Sequence, residues 1–180
     1  MRKSIVSAVF AALICAGWMM AIPVGPIPIV LQNALAVLAG LLLGPLFGGL
    51  SVLIFLIAGA VGLPVFSGGS GGIAVFAGPT GGFLIGYLAA AIVGGVITLI
   101  LKVRDWNTIF RIAVIALAAL AGFLSIYVFG LIWFHHALKL SWADTFLKGF
   151  IPFIIPDLIK LVIIVPIALK LQPIIQRYTE

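Results

Sequence analysis

The sequence predicts an all-α integral membrane protein with six transmembrane helices and both termini in the cytoplasm. Three observations predict it. Of the 180 residues, 64% carry apolar side chains and only 8% are charged, with a mean hydropathy of +1.40, whereas soluble domains carry about 25% charged residues. The apolar residues form long runs instead of alternating with polar ones. That favours helices over a closed barrel, the other structure that satisfies its backbone in lipid. The basic residues cluster at the ends of those runs and mostly on one side, the pattern that sets membrane orientation.

A span needs about 20 apolar residues, and Pro and Gly mark where each one stops. The first helix is expected at roughly 4–22, ended by Pro23. Arg2 and Lys3 ahead of an apolar stretch also fit a secretory signal, but the stretch is long enough to span, and retaining it improves the charge balance. The second helix is expected at roughly 28–43, before Gly44-Pro45, and the third at 46–63, before Pro64. A Gly-rich external loop, 64–78, precedes a fourth helix at 79–101. The fifth is expected at 109–137 and the sixth at 149–171, giving a single six-helix membrane domain over 1–180.

Six spans put both termini on one side, together with Arg2, Lys3, Lys102, Arg104, Arg111, Lys170 and Arg177. The other side carries only Lys139 and Lys148, so the termini are assigned to the cytoplasm. Trp106, Trp133, Trp142 and Tyr178 fall near expected helix ends, where amphipathic rings favour the interface.

Asp157 and Lys160 are the acid and base embedded in the apolar run from Ile151 to Leu169. An ionisable side chain at membrane depth costs about 2.5–3.5 kcal/mol on insertion scales, so it usually faces a cavity or a partner. The i, i+3 spacing puts both groups on one helix face. Two readings follow: a site that grips a polar, uncharged head group through one acceptor and one donor, or a bridge that only neutralises itself. With the termini inside, the pair lies about two turns below the external surface.

The segment Pro64-Val65-Phe66-Ser67-Gly68-Gly69-Ser70-Gly71-Gly72 leads on to Gly78-Pro79-Thr80-Gly81-Gly82-Phe83. It is either a flexible external loop or a flap that closes over a ligand and excludes water. It is not a phosphate-binding loop, because no Gly-Lys-Ser/Thr follows. Ala8, Ala12 and Ala16 recur at i, i+4, i+8, a stripe that lets a second helix approach closely, within this chain or from a partner. His135 and His136 are adjacent, so they project about 100° apart and form no single metal face. Cys15 stands alone as a small buried hydrophobe. No catalytic triad, zinc motif or nucleotide fingerprint is present. The expectation is a protein that is not an enzyme, holds no metal or cofactor and contacts the lipid bilayer. Its net charge of +6 sets topology and implies no nucleic-acid partner.

The ordered set of motifs resembles the BioY family, the biotin-specific S components of energy-coupling-factor transporters, over nearly the whole chain. Ile22-Pro23-Val24-Gly25-Pro26-Ile27-Pro28 through Gln32 is similar to that family's Pro-rich approach to its second helix. Leu41-Leu42-Leu43-Gly44-Pro45, Gly62-Leu63-Pro64-Val65-Phe66-Ser67-Gly68-Gly69 and Gly78-Pro79-Thr80-Gly81-Gly82 follow in order. Pro156-Asp157-Leu158-Ile159-Lys160 resembles its Asp-x-x-Lys.

The resemblance implies a subunit that captures biotin from outside. It implies a transmembrane coupling subunit and two ATPase subunits as partners. It gives Asp157 and Lys160 to the ligand, with Asp157 accepting from the ureido N–H groups and Lys160 either donating to the ureido carbonyl or balancing Asp157. It adds Gln32, Phe66, Ser67, Gly69 and Thr80 as further ligand contacts, and Ala8, Ala12 and Ala16 as the face shown to the coupling subunit. Phe83 stands where the family pattern expects Tyr, which loses a hydroxyl; Tyr87, one turn on, is the candidate substitute. The competing readings are an S component for another vitamin such as riboflavin or thiamine, an intramembrane enzyme, and a purely structural membrane subunit.

Overall fold

The computed structural model describes residues 2–101 and 107–179. Lys102, Arg104 and Trp106, assigned above to a helix boundary, lie outside the described residues. The helices are α1 (Arg2–Ala16), α2 (Gln32–Ala60), α3 (Ala74–Ala77), α4 (Gly81–Ile100), α5 (Thr108–Leu138), α6 (Trp142–Gly149) and α7 (Ile151–Thr179). A 3-10 turn continues α1 to Met20, and another covers Ser67–Gly69. Among the described residues the only extended pairings are two isolated bridges, Ile22 with Ile29 and Phe66 with Ser70.

Five helical segments are long and apolar enough to cross a membrane: Arg2–Met20, Gln32–Ala60, Gly81–Ile100, Thr108–Leu138 and Trp142–Tyr178. The chain nevertheless makes six passes, because α2 is folded back on itself. Gly44 has φ +77° and ψ −179°, a conformation in the region that favours glycine, and Pro45 follows it. A Cβ on Gly48 would lie 2.6 Å from the Cα of Gly40, whereas residues eight apart in a straight helix are about 12 Å apart. The arms 32–43 and 45–60 are therefore antiparallel and touch backbone to backbone. Gln32, at the start of one arm, correspondingly reaches Val65, just beyond the end of the other. Ser7 of α1 ties a third helix to this hairpin by donating to the Phe47 carbonyl at 3.0 Å.

α2, α4 and α5 form the centre of the bundle; α1 packs on α2, and α7 closes against α2 and α5. Ala36, Ala39, Ala90, Ala91, Ala118 and Ala119 are fully buried there, since small side chains let apolar helices approach closely where lipid supplies no hydrophobic drive. Leu124, Val128, Ile155, Leu158 and Val162 point outward, as a lipid-facing surface requires. Arg2 Nη1 donates to the Tyr178 carbonyl, so both ends of the chain meet at one end of the bundle.

Besides the single turn α3 inside the expected loop 64–78 and a start of α2 at Gln32 instead of near 28, two elements differ from the sequence expectation. α6 occupies a stretch read as a connection. Its start is fixed by a capping pair: Ser141 Oγ accepts from the Asp144 backbone N–H at 3.1 Å and donates to the Asp144 carboxylate at 2.6 Å. α7 runs to Thr179 instead of stopping near 171, although Pro156, Pro166 and Pro173 lie inside it. Each proline removes one N–H donor, a defect that membrane helices tolerate when their neighbours hold them in place.

Candidate functional site

The first arm of α2 has only the residues 32–43, about 18 Å of helix against a hydrocarbon core of about 30 Å. Its start therefore lies within the bundle instead of at its surface. The Pro-rich segment 21–31 dips in to meet it, held by reciprocal backbone bonds between Ile22 and Ile29 of 2.8 and 2.9 Å. This places Gln32 and Asn33 at the depth of Asp157 and Lys160.

Three helices converge there. Asp157 Oδ1 accepts from Lys160 Nζ at 2.8 Å and from Asn33 Nδ2 at 3.0 Å. Its Oδ2 accepts from the Tyr127 hydroxyl. Lys160 Nζ also donates to Asn33 Oδ1 at 3.0 Å. Both charges are largely shielded, with side-chain exposures of 10% for Asp157 and 12% for Lys160. Such a pair persists in a low-dielectric interior only if its remaining polar atoms are also satisfied, and Asn33 and Tyr127 do that for the carboxylate. Lys160 keeps one of its three N–H donors beyond those two bonds.

A cavity of about 440 Å³ lies beside the network, within the usual range of small-molecule sites. Lys160, Asn33 and Tyr127 are on its wall, and Asp157 is not. The acid is hydrogen-bonded to all three. Apolar surface comes from Phe66, Phe83, Leu84, Ile126 and Phe153. Pro23, Gly25, Pro26, Ser67, Gly68 and Ser70 close the cavity from the two loops. Phe66 is wedged edge-on between Phe55 and Phe76, with ring centroids 5.4 and 5.5 Å away. It sits directly over Gly59, where a Cβ would lie 2.0 Å from the ring. The Gly-rich segment is thus anchored at its base.

Of the residues singled out from sequence, Gln32, Phe66, Ser67, Thr80, Tyr87 and Lys160 line this cavity. Gly69 does not; it packs under the Trp18 ring. Tyr87 is 7% exposed, lines the cavity, and its hydroxyl has no protein partner among the described residues. Phe83 stands one turn away, edge-on to Tyr127 and Phe134. Ala8, Ala12 and Ala16 are exposed on α1 and do not line the cavity, while Ser7, Phe10, Ala11 and Ile14 form the buried face of α1. Asn33 and Tyr127 were not anticipated. The available signals were a carboxamide inside an apolar helix and the single tyrosine of α5. His135 is stacked on Trp142, centroids 4.1 Å apart and planes 9° apart, away from the cavity.

The wall thus offers an ammonium donor, a carboxamide and two phenols at one place and an apolar surface elsewhere, with the two formal charges neutralising each other. This suits a ligand with a neutral polar head and an apolar body.

A sequence profile of the BioY family matches residues 1–177. The chain belongs to the BioY family. It is 41% identical over 165 residues to the "Probable biotin transporter BioY" of Pyrococcus horikoshii, covering 92% of this chain and 93% of that one. It is 36% identical over 172 residues to the biotin transporter BioY of Thermotoga maritima, covering 96% of each. The fold superposes with a TM-score of 0.85 on a crystal structure described as the S-component for biotin from an ECF-type ABC transporter. That match is 32% identical and covers 95% of this chain and 90% of the other.

Proposed function

We propose that this protein captures biotin from outside the cell and delivers it inward as the S component of an energy-coupling-factor transporter. It is a multi-pass protein of the prokaryotic cell membrane, and it is a transport subunit, not an enzyme. The observation that carries the reading is the polar network beside the cavity, in a chain of the BioY family. Biotin has a neutral ureido ring with two N–H donors and one carbonyl, fused to an apolar bicycle and arm. Lys160 donates its remaining N–H to the ureido carbonyl, joined by the second N–H of Asn33 Nδ2, while the Tyr127 oxygen accepts from a ureido N–H group. Asp157 holds all three in place instead of meeting the ligand alone. Tyr87 adds a further hydroxyl, and Gln32, Phe66, Ser67 and Thr80 enclose the rest.

The excess of basic residues on the side of the termini supports a cytoplasmic location for both ends, which turns the cavity and the Gly-rich loop outward. The outward-facing Ala8, Ala12 and Ala16 support a close helix contact between α1 and a membrane coupling subunit, itself driven by two ATPases. Riboflavin and thiamine are not favoured by the family assignment. Equilibrium binding of labelled biotin to the purified protein tests the function. Displacement by unlabelled biotin but not by riboflavin or thiamine is expected. Displacement by either of the latter at the same concentration, or absence of binding, overturns it.

A further inference from the structure

Gln32 is the most deeply buried polar group on the cavity wall, at 1% exposure, and the polar network described above makes no use of it. Its Nε2 donates to the Ile14 carbonyl of α1 at 3.0 Å and to the Val65 carbonyl of the Gly-rich segment at 2.8 Å. Both N–H groups of the carboxamide are therefore committed to backbone carbonyls from two separate elements. Its stem is confined as well: a Cβ on Gly17 would lie 3.1 Å from Gln32 Cγ, so the side chain has little room to swing.

Val65 immediately precedes Phe66, whose ring plugs the base of the Gly-rich segment, and Ser67 and Gly68 behind it line the cavity. Val65 cannot lift without surrendering its bond to Gln32 and exposing a carbonyl in an apolar surrounding. Ile14 lies in the last turn of α1, followed by the 3-10 turn whose Trp18 covers Gly69. The mouth of the cavity and the end of α1 thus share a single side chain as a common tie.

We propose that Gln32 is a positioning residue that latches the Gly-rich segment down over the cavity. It governs how long the ligand stays more than how it is recognised, and it makes opening of the Gly-rich segment and loosening of the α1 end one event. The proposal rests on the biotin reading. The test uses the purified full chain, with labelled biotin chased by excess unlabelled biotin. Gln32→Met keeps the volume and removes both donors. We expect its biotin dissociation to be about tenfold faster, as loss of two buried hydrogen bonds implies, with association changed much less. A general loss of folded protein would instead lower the fraction that binds without this split. Hydrogen exchange on the biotin-bound variant should rise together in 63–72 and in the last turn of α1.

Parental dissociation from Gln32→Met, or faster exchange in the loop with α1 unchanged, overturns the latch. Should Gln32→Met not fold, Gln32→Leu serves in its place, since it removes both donors without placing a charge against the two carbonyls, and the same outcomes apply. Failure of the parent chain to bind biotin is a separate result that removes the ligand assignment and the latch with it.

Discussion

Gln32 and Asn33 are neighbours in sequence and both line the cavity, yet they belong to different polar assemblies. Asn33 joins a charged network built chiefly of side chains, with Asp157, Lys160 and Tyr127 drawn from α5 and α7, and its Oδ1 also accepts from the Ala34 backbone N–H. Gln32 joins a neutral one in which a single side chain serves two backbone carbonyls, from α1 and the Gly-rich segment. The first is held by helices at the bundle centre; the second ties down loops at its mouth. On the function proposed above, recognition falls to the helices and closure to the loops. The charged assembly should set selectivity and the neutral one residence time.

The largest effect should come from removing the hub of the charged assembly. Asp157→Ala leaves Lys160 as an unpaired buried cation and frees Asn33 and Tyr127 to turn. Biotin affinity measured at equilibrium should fall at least about a hundredfold, or roughly 2.7 kcal/mol. A variant that binds like the parent would erase the distinction between the two assemblies. Tyr127→Phe removes one hydrogen bond to a carboxylate and should weaken binding about tenfold, visible in the same titration. Tyr87→Phe tests whether the hydroxyl without a protein partner meets the ligand. A loss of about threefold to tenfold is expected for a neutral hydrogen bond, and no change would confine recognition to the Asp157 network. The smallest effect on binding should come from Ala12→Leu, on the outer face of α1. Its affinity should match the parent, while co-purification with the coupling subunit should fall because close helix approach is blocked. Undiminished assembly would remove α1 as the contact face.

Asp157 and Lys160 were visible in the sequence because charge inside an apolar run is conspicuous wherever it points. Asn33 and Tyr127 were not. A carboxamide near a helix start reads as a cap, and a tyrosine in an apolar span reads as an aromatic filler. What makes them functional is convergence: Asn33 meets Asp157 across 124 positions of chain and Tyr127 meets it across 30. Gly44-Pro45 was legible as a boundary but not as the reason for a backbone contact between Gly40 and Gly48. Ser141 and Asp144 carried the capping pattern of α6 in plain view, and the short apolar stretch behind them was passed over because it is too brief to span. Sequence places Asp157 against the ligand; the structure adds that it is bonded to three residues on the cavity wall.

The reversal in α2 also has a consequence for chain length. Because Gly44 and Pro45 make the bend with no slack, inserting one residue in the second arm would rotate everything after it by about 100°. Gly48 would swing away from Gly40, and a bulkier neighbour would arrive in its place. With the insertion placed just after Pro45, Phe47, whose carbonyl accepts from Ser7 of α1, would turn out of its reach. This corner of the molecule should accept exchanges of lipid-facing side chains readily and changes in the number of residues hardly at all.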